Sequence, residues 1–223
     1  MVKVKMWVEG DTEETFVNRV LRPHLRPLGV NPQPRKLGKP GHYTGIVEYP
    51  RARADILTTL EEDTVSFCTT MVDYYGMPRS WLGREAAIQK PVCEKPVTIE
   101  QAIRADISSA MGEGFDAARF IPYVQMHEFE ALLFSDPGIL AAHLESVEES
   151  VVRQIKEQFS SPEEIDDSAE TAPSKRILRL DPSYRKPYDG MLLAQKIGLA
   201  VMRAECPHFD AWIGTLEALA VNR

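Results

Sequence analysis

Three short β-prone runs constrain this chain more than any other feature: VKVKMWV at 2–8, VSFCTTMV at 65–72 and FIPYVQM at 120–126. Between them apolar residues recur at helical spacing. Phe16, Val17, Val20, Leu21, Leu25 and Leu28 form one such series, Ile56, Leu57 and Leu60 mark a helix over 49–62, and 99–111 reads as a third. Strands that alternate with helices predict an α/β domain with a mainly parallel sheet flanked by helices. Proline sets several of the expected limits. Pro23 and Pro27 should break or kink the first helix, the segment 30–39 is at best an edge strand followed by a loop, and 76–98 should be mostly loop. Pro122 weakens the middle of the third strand. The stretch 127–134 then turns helical, and every periodic stretch beyond Ser135 is helical, giving a helical C-terminal region that ends with 209–219.

The remaining composition narrows the class. The 223 residues are 43% hydrophobic and carry a net charge of −7, as expected of a globular chain that does not bind nucleic acid indiscriminately. Basic residues nevertheless gather in 1–60 and 174–203, around an acidic stretch at 145–170 that reads as a solvated helix and loop. No apolar run approaches the ~20 residues of a membrane span, and the N-terminus lacks the apolar core of a secretion signal. The sequence therefore predicts a cytoplasmic protein with no membrane partner. Cys68, Cys93 and Cys206 are too few and too scattered for a disulfide framework.

In open parallel sheets ligands collect beyond the carboxyl ends of the strands. Glu9, Asp73 and the pair His127–Glu128 each follow directly on an expected strand. In EGDTE, Asp11 can cap the following helix with Glu14 completing a capping box, and Asp11, Glu13 and Glu14 all suit a first helical turn. Glu9 precedes the cap, so capping does not account for it. Asp73 either closes its strand through an Asx-turn with Gly76 and Pro78 or joins Glu9 in holding a hard cation such as Mg²⁺ through carboxylate oxygens. In HEFEALLF, Phe129, Leu132 and Leu133 define the inner face, and His127 and Glu130 share the opposite side, with Glu128 at the boundary. They read either as an exposed pair or as further ligands. The spacing is not HExxH, because the fifth residue is Ala131. Lys175 and Arg176 face either a phosphate or water, and Cys206 and His208 belong to a turn packed by Phe209 and Trp212.

These phrases, VEGDTE, MVDYYG, RFIPYVQMHEFEALLFSD, PSKRI and CPHFDAWI, together resemble the DUF4276 family of bacterial proteins over nearly the whole chain. The front half is also similar to the TOPRIM fold of topoisomerases, primases and OLD-family nucleases. That resemblance implies a TOPRIM-like α/β core over 1–135, with the helical region 136–223 packed on it as one unit. It also implies Mg²⁺ (or Mn²⁺) chemistry on phosphodiesters. Glu9 matches the glutamate after the first strand, Glu13 the second acid of an EGxTE phrase, and Asp73 the first aspartate of Asp-x-Asp. Tyr75 stands where the second aspartate belongs. His127, Glu128 or Glu130 is expected to supply the missing ligand, with Lys175 or Arg176 on the phosphate. The implied activity is a nuclease working with a partner ATPase in defence or DNA repair. The alternative is a non-catalytic TOPRIM-like module that binds a partner ATPase or nucleic acid.

Overall fold

A computed structural model describes residues 1–38, 45–165 and 170–221. Residue 39 of the expected edge segment and residues 166–169 of the acidic stretch lie outside the described residues. Strand β1 (Val2–Val8) is followed by α1 (Asp11–Phe16), a π-helical turn (Val17–Leu21) and α2 (Arg22–Leu25). The two prolines therefore do not split this helix into separate pieces. Pro23 lies in the first turn of α2, and the wider π turn ahead of it accommodates a residue that cannot donate a backbone hydrogen bond.

Strand β2 (Val30–Lys36) pairs with β1 in parallel along its whole length despite Pro32 and Pro34. It lies at the edge of the sheet. Alternate residues of a strand face opposite sides in hydrogen bonding, and the Pro32 carbonyl accepts from Arg22 at 3.0–3.1 Å. The prolines thus face the open edge, where no ladder donor is lost.

Helix α3 (Tyr49–Glu62) leads to β3 (Phe67–Asp73), which pairs in parallel with β1. The expected loop 76–98 contains three helical pieces, α4 (Arg84–Ala87), a 3₁₀ turn (Val92–Glu94) and the first turn of α5 (Lys95–Met111). Pro122 does more than weaken its strand. It divides the strand into β4 (Phe120–Ile121) and β5 (Val124–Gln125), each pairing in parallel with β3. The hydroxyl of Thr70 bridges the break, accepting from Tyr123 N–H and donating to Tyr123 C=O, both at 2.9 Å.

After a 3₁₀ segment (Phe129–Ser135) the chain is helical: α6 (Pro137–His143), α7 (Glu149–Lys156), α8 (Pro173–Leu180), α9 (Lys186–Ile197), α10 (Leu199–Glu205) and α11 (Pro207–Ala218). No helix among the described residues is long and apolar enough to cross a membrane.

Apolar clusters cover both faces of the sheet. Val4, Met6, Val8 and Met71 pack with Phe16, Leu21 and the C-terminal residues Ile177, Leu193, Phe209 and Ile213. On the other face Cys68, Val72 and Tyr74 meet α3 and α5 through Ile56, Leu60, Ile99 and Ile103. The C-terminal helices therefore lie over one face, and α3 to α5 cover the other.

Part of the acidic stretch is not solvated. Glu163 is buried, and its carboxylate accepts the N–H groups of His208 and Phe209, each at 2.9 Å, at the start of α11. Cys206 and His208 belong to that packed helix start, with Phe209 and Trp212 buried beside them.

Candidate functional site

The neighbouring strands β1 and β3 deliver the first two acids to one carboxyl edge. Glu9 follows Val8, which is in register with Met71, and its Oε2 accepts the Asp73 N–H at 3.3 Å. The first turn of α1 brings back a third acid. Its N-cap is Gly10, not Asp11. Glu13 Oε2 accepts the Gly10 N–H at 2.9 Å, so Glu13 rather than Glu14 answers the exposed end of the helix. The Asp11 side chain is 72% exposed and pairs with Lys36 at 2.7 Å.

The HEFE stretch continues along the same edge. Gln125 C=O accepts the Tyr74 N–H at 2.9 Å, and His127 C=O accepts the Tyr75 N–H at 2.7 Å. Backbone pairing thus carries β3 and the segment after β5 past the sheet side by side. His127 adopts a left-handed φ of 60°, which is uncommon for any residue but glycine. Such a turn aims the following residues inward. An exposed His–Glu pair on a helix is therefore not what forms: His127, Glu128 and Glu130 are all buried. The His127 ring stands edge-on to Tyr74 with centroids 6.2 Å apart.

Glu128 accepts from Ser174 twice, from its N–H at 2.8 Å and its hydroxyl at 3.0 Å. Lys186, the first residue of α9, then closes the group. Its Nζ lies 3.3 Å from Glu128 Oε1 and 3.0 Å from Glu130 Oε2. Its side chain is 42% exposed, so solvent reaches the cluster from this side. Sequence reasoning missed Lys186. Pro187 in the first turn of α9 favours a helix start there, but nothing local indicates that the ammonium points back to residues more than fifty positions earlier.

Glu9, Glu13, Asp73, Glu128 and Glu130 thus share one lysine. Burial is the largest influence on the acids, and their mutual repulsion adds to it. Burial and the Glu13 charge push Glu9 up to about 7. Burial, then Glu9 and Glu13, raise Asp73 well above the usual carboxylate range. Burial likewise raises Glu13 and lifts Glu130 to about 7 against the pull of Lys186. Burial opposes the Lys186 charge, but Glu130, Asp73 and Glu128 outweigh it and hold its pKa above the ordinary value.

Among the described residues no three His, Cys, Asp or Glu side chains are gathered as a ready-made ligand set. The donors nevertheless fit a hard cation. They are carboxylate oxygens, and Asp73 Oδ1 is buried without a hydrogen-bond partner. Mg²⁺ characteristically takes one or two carboxylates and keeps several waters, so it does not require a closed protein cage.

Lys175 and Arg176 are not drawn into this group. Lys175 is exposed. Arg176 donates to Thr171 C=O at 2.8 Å and places its guanidinium 5.5 Å from the Phe159 ring centre. Tyr75 contributes its backbone N–H to the edge. No curated protein and no solved structure matches the chain. A family profile, that of a domain of unknown function, matches residues 8–217.

Proposed function

The chain belongs to the DUF4276 family, a description that carries no activity, and from its carboxylate cluster we propose a Mg²⁺-dependent phosphodiester-cleaving enzyme. The resemblance of its front half to TOPRIM-fold and OLD-family proteins extends this reading to a nuclease that works with a partner ATPase in defence or DNA repair. One observation carries this reading. Five buried or half-buried carboxylates converge at one strand edge against a single ammonium, and Asp73 Oδ1 has no hydrogen-bond partner. An unneutralised excess of buried negative charge is costly, and a site relieves it either by holding protons or by holding a cation.

Asp73 and Glu9 would hold the ion, with Glu13 or Glu130 beside them. Mg²⁺ or Mn²⁺, when bound, would supply Lewis-acid stabilisation of charge on a phosphate. Burial raises Glu9 to about 7 in the metal-free chain. Where the ion rests on Asp73 and a neighbouring acid instead, Glu9 would be the general base that takes a proton from an attacking water. The water oxygen bonds to phosphorus as the ester P–O bond breaks, and the leaving oxygen is protonated from solvent. Lys186 holds negative charge on the phosphate and keeps Glu128 and Glu130 in place.

The test is cleavage of single- and double-stranded DNA and RNA by the purified protein, with and without Mg²⁺ or Mn²⁺. Metal-dependent cleavage that is lost in Glu9→Gln and Asp73→Asn supports the reading. Cleavage that is unchanged in Glu9→Gln removes the assigned base. A second reading, a non-catalytic binding module, is favoured by the Lys186 ion pairs, which offset part of the charge of Glu128 and Glu130 without a metal, and by Tyr75 in place of an aspartate. Absence of cleavage on every substrate, in a protein that still binds a partner ATPase or nucleic acid, selects it.

A further inference from the structure

A second charged site lies one residue beyond the acids, on the other face of the sheet. Consecutive strand residues project to opposite faces. Asp73 joins the acid cluster, whereas Tyr74 packs with the α3–α5 layer. Their Cα atoms are about 3.8 Å apart, so the two sites adjoin across the same carboxyl edge.

Tyr74 forms one wall of a cavity of about 390 Å³ that is also lined by Met77, Arg79, Arg84, Ile88 and Lys95. The chain builds this cavity deliberately. Gly83, with φ 80°, starts α4 so close to α5 that a Cβ there would lie 2.8 Å from Thr98 O and 2.9 Å from the Ile99 Cα. That approach sets Arg84 beside Lys95, the first residue of α5. The Arg84 guanidinium carbon is 3.9 Å from the Tyr74 ring centre, its Nη1 donates to the Tyr74 hydroxyl at 2.6 Å, and Lys95 Nζ is 5.3 Å from the same centre.

The charge balance is the reverse of that in the acid cluster. Glu85, the acid lining this cavity, pairs with Arg79 at 3.3 Å. Among the described residues neither Arg84 nor Lys95 has a carboxylate partner, although the chain as a whole carries a charge of −7. Arg84 Nε is in addition buried without a hydrogen-bond partner. Two cations held at one aromatic ring repel each other, and an anion between them relieves that repulsion. A guanidinium is well matched to phosphate oxygens, and the start of the seventeen-residue α5 adds the positive end of its dipole.

We propose that the Tyr74–Arg84–Lys95 cavity grips the phosphodiester backbone of a nucleic acid chain whose neighbouring phosphate lies at the acid cluster. This deepens the nuclease reading and rests on it for the substrate class. The grip itself requires neither metal nor cleavage.

The experiment therefore follows binding alone. Fluorescein-labelled oligothymidylate is titrated with the full chain in EDTA, by fluorescence anisotropy, over a range of salt concentrations. Wild type should bind, and its salt slope should fall by about 0.7 for each cation removed in Arg84→Gln and Lys95→Gln. Lys175→Gln should leave the slope unchanged, and an oligonucleotide with an uncharged methylphosphonate backbone should not bind. Thermal melting shows whether each variant folds. Because Arg84 also supports Tyr74, Lys95→Gln and the charge-retaining Arg84→Lys keep the test decisive if Arg84→Gln unfolds. Failure of wild type to bind, or an unchanged slope in folded Lys95→Gln, overturns the proposal. Inorganic pyrophosphate that competes as strongly per phosphate as the oligonucleotide assigns the site to free phosphate and also overturns it. An unchanged slope leaves the Glu9 and Asp73 cleavage assay standing, and a failed cleavage assay leaves this binding result standing.

Discussion

Lys186→Gln removes the ammonium that bonds Glu128 and Glu130 and leaves their carboxylates facing each other. Breaking a fully buried pair costs about 3–5 kcal/mol. The 42% exposure of this side chain reduces the expected loss to about 1–3 kcal/mol at neutral pH. Urea unfolding checks this, and Lys186→Gln combined with Glu130→Gln should recover part of the loss. Equal stability of wild type and Lys186→Gln would show that the ammonium does not hold the cluster. Asp11→Ala should behave differently. Its side chain is mostly exposed and Gly10 holds the cap position, so the cost should be about 0–1 kcal/mol, as for a surface ion pair. A thermal-melting loss well above that range would restore Asp11 as the cap. At this scale sequence legibility depends on distance along the chain. Glu9 and Asp73 were readable because Glu9 directly follows its strand and Asp73 ends its own. Lys186 was not, because its role exists only once α9 has docked.

At the scale of elements, Pro122 shows how a local signal can be read correctly and still leave the outcome open. The ring removes a donor from the middle of a strand, and the sequence carries that much. It does not reveal that Thr70, 53 positions away, takes over both polar groups of Tyr123. Thr70→Val keeps the shape and leaves a buried N–H and C=O unsatisfied, so it should cost about 1–3 kcal/mol, measurable by thermal or urea unfolding. A neutral Thr70→Val would mean that the β4–β5 break is held otherwise. The edge position of β2 was legible from Pro32 and Pro34, since prolines spaced two apart suit a strand with one open side. The buried role of Glu163 was not legible. An acid in an acidic stretch carries no local sign that it will meet the start of α11 some 45 residues later.

For the whole molecule, the alternation of strands and helices was enough to give the parallel sheet, while the docking of the C-terminal helices over its acidic edge depended on tertiary packing. That docking makes stability depend on pH in a definite direction. Glu9 and Glu130 titrate near 7 in the folded chain and near 4.5 when unfolded. Between those values the folded state binds more protons than the unfolded one, so stability falls as pH rises through about 4.5 to 7 and stays low above it. A divalent cation competes with those protons and binds only the deprotonated cluster. Mn²⁺ should therefore raise the melting midpoint strongly near pH 8 and little near pH 5, with a gain of about 2.7 kcal/mol when its concentration is a hundred times Kd. Glu9→Gln should weaken both effects, since it removes one titrating group and one prospective ligand, and Asp73→Asn should reduce the Mn²⁺ shift. Arg153→Gln, at an exposed α7 residue that pairs with Glu149 and with none of the cluster acids, should retain the wild-type response. If Mn²⁺ shifts every variant equally, or shifts none at either pH, the acids hold protons rather than a metal and the binding-module reading takes precedence.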